Sequence, residues 1–374
     1  MLLNRIFALF GALTVVVESA VSTARNKSRE ALASREYFYV GGNYVPSGTE
    51  HLFANQMYVE KLTPSKPRQP YPLVFIHGQA QSGTNWLNKP DGIPGWATYF
   101  LKKGYIVYII DQTERARSAW NPSGNTTLTT YTAEYIERIF TAPQDFNLWP
   151  QASLHTQWPG SGRMGDPVFD AYYASTVEFQ SDTIIQETKM QAAGSALLRK
   201  IGPAVLVAHS QGGLMPWSIA DVVPDLVKAI VAIEPTGPPF RNEVVNPGTA
   251  RPYGLTNIPL TYSPPANTSA AKPLETQVVA NSEPGLDTCI IQASPARQLV
   301  NLKSIPVLVE SSEASVHIVY DGCTVKFLQQ AGVPAEWLKL VDIDIHGNGH
   351  LHFMEKNSDV IAGVLERWIK KTVC

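Results

Sequence analysis

The sequence predicts an α/β protein with a mostly parallel sheet that is covered by helices on both faces. Two observations carry this prediction. First, the chain contains short, continuously apolar runs, which are typical of strands buried on both faces. Second, helix-like segments separate these runs along the chain. The 374 residues, 44% of them apolar, are enough for one large domain of this class.

Each element follows from its local pattern. Two β-rich segments, Tyr37–Val45 and Met57–Pro64, have turn residues between them and predict a hairpin or adjacent antiparallel strands. Apolar runs then predict buried strands at Tyr71–Gly78, Tyr105–Asp111, Pro203–His209, Lys228–Pro235, Ile305–Glu313 and Leu338–Asp344. Helical spacing and glycine stops predict helices at Gly95–Gly104, Ile184–Gly202, from Gly213, around Val325–Ala331 and at Glu355–Lys371.

Two stretches show no clean period. Residues 112–180 are rich in Pro, Trp, Thr and Tyr, and residues 238–293 are rich in proline. A long irregular stretch inside a compact domain is usually functional, so we expect the first to be a lid-like insertion and the second an excursion. Residues 25–374 are expected to form a single domain that contains both.

The first 24 residues predict a secretory signal peptide. Arg5 gives a weakly positive start, an apolar run follows at Ile6–Val17, and small residues end at Ala24. The run is too short to span a bilayer of about 30 Å as a helix, although a signal anchor is the alternative interpretation. No later stretch is long and apolar enough to cross a membrane, so a secreted protein without a membrane span is expected.

Secretion would bring glycans and oxidised cysteines. Acceptor sequons stand at Asn26, Asn125 and Asn267. The chain has three cysteines, of which Cys289 and Cys323 flank what looks like one strand. We expect these two to form a disulfide and the last residue, Cys374, to remain unpaired.

Charge and motifs argue against several classes of partner. The net charge of −2 gives no electrostatic footprint for nucleic acid or for an anionic membrane surface. No cofactor motif appears, and His350-x-His352 has no further ligands at a recognisable spacing. We therefore expect no cofactor and no metal site.

Ser210 stands where a buried strand breaks into a helix, in the stretch Ala-His-Ser-Gln-Gly at 208–212. Small residues on both sides of a serine allow the sharp turn of a Gly-x-Ser-x-Gly nucleophile elbow, and Ala208 replaces the first glycine here. A helix N-cap is the ordinary alternative for such a serine. The strand before it, the helix after it and suitable partners downstream favour a nucleophile.

A serine nucleophile needs a base, and the base needs an acid that orients it. With the chain order serine, acid, histidine, the base comes last. His350 is the preferred candidate because the Gly-Asn-Gly turn at 347–349 presents it towards the sheet edge, and His346 is the second candidate. His317, in Val-His-Ile-Val, looks like a packing residue.

The acid and the oxyanion donors are less determined. Glu310 and Glu313 follow the next-to-last strand, which is the usual place for the acid, whereas Glu234 ends the strand after the nucleophile helix. Spacing alone does not choose among them. An oxyanion hole needs two backbone N–H donors, one from the residue after the nucleophile and one from a loop that follows an earlier strand. Gln211 follows the serine and Gln79 lies in such a loop, so both are predicted oxyanion donors.

A family resemblance rests on four stretches: VFIHGQAQSGTNWLNKPDGIPGWATYFLKKGYIVYIIDQTERARSAW, VAHSQGG, AIEPTGPPF and GNGHLHFMEKNS. On these the sequence resembles the α/β-hydrolase superfamily from about Tyr37 to Val373, and within it a group of secreted fungal hydrolases and related bacterial esterases. In that group the acid is a glutamate after the strand that follows the nucleophile helix. The resemblance therefore implies an α/β-hydrolase sheet and the choice of Glu234 as the acid.

The expected function is a secreted serine hydrolase that cleaves a small-molecule carboxylic ester, or a lactone, through an acyl-enzyme on Ser210. Acyl transfer to an alcohol would use the same residues. A catalytically silent binding protein on the same fold is an alternative from another class, and it predicts a missing triad member. A haloalkane- or epoxide-type hydrolase would need an aspartate at position 210.

Overall fold

The computed structural model describes residues 30–121, 126–266, 273–281 and 283–373. Several expectations fall on other positions and lie outside the described residues. They are the signal peptide at 1–24, the sequons at Asn26, Asn125 and Asn267, and the unpaired Cys374.

An eight-stranded sheet runs through the molecule. Its strands are β1 (Ala33–Ser47), β2 (Glu50–Pro64), β3 (Leu73–Ile76), β4 (Val107–Asp111), β5 (Ala204–His209), β6 (Val227–Ile233), β7 (Val307–Ser311) and β8 (Ala335–Lys339). Their spatial order is β1-β2-β4-β3-β5-β6-β7-β8. The β1–β2 hairpin and the β2–β4 pair are antiparallel, and all pairs from β4 to β8 are parallel. This confirms the predicted mostly parallel α/β sheet.

Helices cover both faces of this sheet. They are α1 (Trp96–Lys102), α2 (Pro167–Tyr173), α3 (Thr183–Ile201), α4 (Met215–Val222), α5 (Asp321–Gln330) and α6 (Ser358–Val373). No helix in the described part of the chain is long and apolar enough to cross a membrane.

Alternate residues of the central strands pack into two separate cores. In β5, Leu206 and Ala208 point into a core that α3, α4 and α5 complete. Val205 and Val207 point to the other face, into a core that α1, α2 and α6 complete. Because both faces are apolar, these strands read as continuous apolar runs in the sequence.

The two irregular stretches contain only short elements among their described residues. The first holds turns of helix at Ala133–Ile136, Glu137–Thr141, Pro143–Asp145 and Pro150–Leu154, helix α2, and the strand pair Leu128–Thr129 with Phe179–Gln180. The second contains the strand pairs Arg241–Asn242 with Gly248–Thr249 and Thr276–Val279 with Cys289–Gln292. It also contains the strand Tyr262–Ser263, whose partner Gln298–Leu299 follows the stretch.

The predicted last strand, Leu338–Asp344, is wrong in position. Strand β8 begins at Ala335 and ends at Lys339, where its partner β7 also ends. Residues Leu340–Ile343 instead form a 3-10 turn that closes at Asp344 in the left-handed region, with φ 58°. The error arises because β8 is an edge strand whose first residues are more polar than those of the buried strands.

The predicted disulfide between Cys289 and Cys323 is formed. The two residues do not flank a single strand, however. Cys289 begins a short strand of the second irregular stretch, and Cys323 lies in the first turn of α5, which starts four residues earlier than the apolar pattern suggests. The bond therefore attaches this stretch to a helix of the main domain.

Candidate active site

Ser210 lies directly after β5, at the carboxyl edge of the sheet. Its φ is 55°, a left-handed conformation that costs a non-glycine residue about 1–3 kcal/mol and that the surrounding structure must enforce. The next turn is tightly packed, since a Cβ built on Gly212 would lie 2.3 Å from the carbonyl oxygen of His77. The glycine at 212 is thus required by the close approach of this backbone to the β3 loop.

Ser210, His350 and Glu234 form a continuous hydrogen-bonded chain. His350 Nε2 lies 2.9 Å from Ser210 Oγ, and His350 Nδ1 lies 2.5 Å from Glu234 Oε2. Ser210 follows β5, Glu234 follows the neighbouring β6, and His350 lies in the turn before α6. Residues that are 116 and 140 positions apart in sequence thus meet at one edge of the sheet.

Glu234 is fully buried and is surrounded by donors. Its Oε1 accepts hydrogen bonds from the N–H of Ser312, at 2.8 Å, and from the Ser312 hydroxyl. Its Oε2 accepts from His350 and, at 2.6 Å, from the Ser315 hydroxyl. Burial alone would raise the pKa of Glu234, but the hydrogen bond from His350 and the charge of nearby imidazoles lower the pKa below its usual range.

The other two candidate acids have different partners. Glu313 Oε1 lies 3.1 Å from His346 Nδ1 at an exposed site, and Glu310 Oε2 lies 3.0 Å from His352 Nε2 in the interior. Neither contacts His350. The second candidate base, His346, therefore lies apart from the serine. The sequence did not indicate the roles of Ser312 and Ser315, although the polar run after β7 could have suggested local donors.

The loop after β3 is held against the serine turn by buried polar side chains. Gln112 Nε2 donates to the carbonyl of His77, at 2.7 Å, and to Gln211 Oε1, at 3.0 Å. Arg115 Nη1 donates to the carbonyl of Gly78, at 3.0 Å. These contacts hold the backbone just before Gln79 and the side chain of Gln211, the two predicted oxyanion donors, of which Gln79 lines the cavity next to Ser210. The sequence alone does not indicate the roles of Gln112 and Arg115.

A cavity of about 200 Å³ opens onto Ser210 and His350. The first irregular stretch contributes Tyr131, Tyr135, Ile139 and Phe140 to its wall, and the second contributes Asn242, Glu243, Val245 and Asn246. A larger cavity, about 460 Å³, lies between the β1–β2 hairpin and α3. Its described lining includes the Lys189–Glu114 ion pair and shares no residue with the Ser210–His350–Glu234 chain.

Two further imidazoles pack against the base. The rings of His317 and His209 each lie 4.5 Å from that of His350, centre to centre. Burial, and then the charge of His317, lower the pKa of His350 to about 4. His350 is therefore neutral at neutral pH and has an Nε2 that can accept a proton from Ser210.

Glu234, His317 and His350 could in principle hold a metal ion, because one ligand atom from each lies within 4.8 Å of the others. The rings of His317 and His350 are parallel to within 2°, however. The nitrogen lone pairs of parallel rings lie in separate planes and do not converge on a common ion, so this arrangement does not favour a His2Glu metal site.

A sequence profile described as Alpha/beta hydrolase family matches residues 73–364. The chain belongs to the alpha/beta hydrolase family. This hydrolase is 48% identical over 335 residues to a protein named probable secreted lipase phiG from Fungal sp. (strain ATCC 74256), covering 90% of this chain and 89% of that one. It is also similar to the solved structure of a bacterial esterase, with a TM-score of 0.63 and 23% identity, covering 93% of this chain and 98% of the other. That second likeness shows the shared fold.

Proposed function

We propose that this alpha/beta hydrolase is a secreted serine hydrolase that cleaves a carboxylic ester through an acyl-enzyme on Ser210. The observation that carries the proposal is the hydrogen-bonded chain from Ser210 through His350 to Glu234. Its orientation matches what nucleophilic catalysis requires, since the base contacts both the nucleophile and an orienting carboxylate. The relative named a probable secreted lipase supports an ester as the substrate.

In this mechanism His350 Nε2 takes the hydroxyl proton while Ser210 Oγ attacks the ester carbonyl. Glu234 accepts the hydrogen bond from Nδ1–H, which fixes the tautomer and stabilises the imidazolium that forms. The backbone N–H groups of Gln79 and Gln211 hold the oxyanion of the tetrahedral intermediate. Collapse of this intermediate expels the alcohol, which receives the proton from His350 and leaves an acyl-enzyme. Water then attacks with His350 as the base and releases the acid.

The buried environment supports this assignment of protonation states. Because the pKa of His350 is lowered to about 4, the base is unprotonated over the neutral range. Because the pKa of Glu234 is lowered by its hydrogen bond from His350 in spite of burial, the acid stays ionised and can stabilise the imidazolium.

The test is hydrolysis of a panel of chromogenic esters of increasing acyl length by purified wild type and Ser210→Ala. We expect the substitution to lower kcat by several orders of magnitude. Ser153→Ala, at an exposed turn, is the matched control and should retain wild-type rates. If Ser210→Ala retained a substantial fraction of the wild-type rate, the acyl-enzyme mechanism would be wrong. Addition of an alcohol acceptor would measure how much of the acyl group is transferred instead of hydrolysed.

Secretion is part of the proposal and rests on residues 1–24, the three sequons and the name of the fungal relative. The mature protein should begin near Arg25, and its mass should fall on enzymatic deglycosylation. Edman or mass-spectrometric analysis that found an intact Met1 in the cytosolic fraction would contradict it.

A further inference from the structure

His317 lies outside the Ser210–His350–Glu234 chain but is in direct contact with it. It belongs to the 3-10 turn Val316–Val319 after β7 and is buried beside the cavity. Its ring is stacked on the ring of His350, with 4.5 Å between the centres and 2° between the planes. A packing residue, as the sequence suggested, would require only an apolar ring at this position.

The polar contacts of His317 show that it is more than packing. Its Nδ1 lies 3.3 Å from Asp321 Oδ1, and both side chains are buried. Asp321 Oδ2 accepts a hydrogen bond of 2.7 Å from Ser311, whose hydroxyl accepts one of 3.0 Å from the indole N–H of Trp337. A buried carboxylate is costly unless it is paired. This chain of contacts holds His317 in one orientation and gives its ring a partner for a positive charge.

We propose that His317 is a positioning residue for His350. It holds the His350 ring by stacking, and its positive charge opposes protonation of that ring. The base therefore remains unprotonated, and the enzyme active, at acidic pH. The proposal rests on the proposed function, because it assigns a role relative to His350 as the base. Two imidazolium ions with rings in contact repel each other strongly in a buried site. Protonation of one ring therefore disfavours protonation of the other.

The groups around the pair determine which ring carries the proton. His317 is faced by the carboxylates of Asp321, Glu234 and Glu310, and by Tyr320. Burial opposes a charge on His317, but Asp321 and then the two glutamates raise its pKa. His350 is faced by Glu234, His317, His209 and His352, and there burial and His317 dominate and lower the pKa to about 4. On acidification His317 therefore takes up a proton before His350 does.

The remaining imidazoles do not reverse this order. Burial lowers the pKa of His209 well below its usual value, so that ring stays neutral. Burial also opposes a charge on His352, but Glu310 raises its pKa to about 9, and its charge is compensated by that contact. Burial raises the pKa of Asp321 to about 6. On acidification Asp321 loses its negative charge, and the His317–Asp321 pair then presents a net positive charge to His350.

The experiment compares wild type with His317→Phe, which keeps a flat ring but removes the charge. The kcat/KM for a chromogenic ester is measured from about pH 3.5 to pH 8. We expect the plateau at high pH to fall by less than about tenfold, and the acidic limb to move up by about one to two pH units. His346→Phe, at the exposed pair with Glu313, is the matched control and should leave the limb unmoved. A large loss on the plateau with an unmoved limb would overturn the proposal.

A second measurement does not depend on hydrolysis. In a Ser210→Ala background, NMR titration of the His350 ring with and without His317→Phe gives the pKa of His350 directly. The expected result is an upward shift of about one to two units on removal of the charge. An unchanged pKa would overturn the role of His317, whereas activity of Ser210→Ala on esters would overturn the proposed function. If His317→Phe does not fold, His317→Gln replaces it, with an upward shift again expected because the amide carries no charge and can still donate a hydrogen bond to Asp321.

Discussion

Replacing Glu234 with glutamine should remove catalysis while preserving the shape of the site. In the structure both carboxylate oxygens accept hydrogen bonds, Oε1 from Ser312 and Oε2 from His350 and Ser315. A glutamine amide must place its NH2 on one of these sides, where it meets a donor. If the NH2 faces His350, it donates to Nδ1 and forces the proton onto Nε2. If it faces Ser312, it opposes a backbone N–H that cannot rotate away.

The magnitude follows from the tautomer. An imidazole with its proton on Nε2 cannot accept the proton of Ser210, and the imidazolium also loses its counter-charge. Substitution of the triad acid by its amide in a serine protease lowers kcat about ten-thousandfold by this route. We therefore expect kcat of Glu234→Gln to fall by three to four orders of magnitude, or about 4–5 kcal/mol of transition-state stabilisation. KM should change little, because the amide does not line the cavity.

The assay is steady-state hydrolysis of the best chromogenic ester, with thermal unfolding followed by circular dichroism to establish that the variant is folded. Glu313→Gln is the matched control, since Glu313 pairs with the exposed His346 and should retain most activity. A folded Glu234→Gln variant with kcat within tenfold of wild type would refute the reasoning. A dead Glu313→Gln variant beside it would show that the acid is in its more usual place after β7.

Three further predictions follow from the same geometry. The Cys289–Cys323 bond closes a loop of 34 residues, so its removal by Cys323→Ser should lower the free energy of unfolding by about 3–4 kcal/mol, and urea denaturation that shows no difference would contradict this. His350 must be neutral to act as the base, and its pKa is lowered to about 4. We therefore expect kcat/KM to fall only as the pH drops through about 4. A pH–rate profile that falls at the ordinary histidine pKa of about 6.5 would contradict this expectation. Gly212→Ala should lower kcat about a hundredfold, because the new Cβ would lie 2.3 Å from the His77 carbonyl oxygen and would displace the loop that carries Gln79. A rate within a few-fold of wild type in the same ester assay would show that the position of this loop does not depend on Gly212.

The sequence predicted the parts of the site that depend on local pattern. Ser210 was indicated by a buried strand that breaks into a helix, and His350 by a glycine turn after the last strand. The choice among Glu234, Glu310 and Glu313 could not be made in this way. The choice depends on the register of adjacent parallel strands, because register decides which carboxylate faces His350. The N–H of Glu234 donates to the carbonyl of Glu310, so the two residues are neighbours across the sheet. Their carboxylates nevertheless contact different histidines, His350 and His352.

The same limit explains the residues that were missed. Ser312 and Ser315 contact Glu234 across 78 and 81 positions, and Gln112 contacts Gln211 across 99. Such long-range polar contacts leave no periodicity in the sequence. Apolar periodicity is also insufficient at the sheet edge, where β8 is partly polar and the apolar pattern predicts the strand too late in the chain.

The cavity wall and the reacting groups occupy different parts of the chain, and this separation gives a practical rule for redesign. Ser210, Glu234 and His350 follow strands or precede a helix of the packed domain, whereas much of the cavity wall comes from the turns at 131–140 and 242–246. Substitutions at the cavity-lining positions of those two segments can widen or narrow the cavity, provided that the core residue Ile136 and Phe140, whose ring is stacked on that of His350, are kept. A library aimed at new ester selectivity should therefore be confined to the remaining positions, and those of its members that leave the charge of the cavity unchanged should retain the pH profile of the parent enzyme while differing in KM.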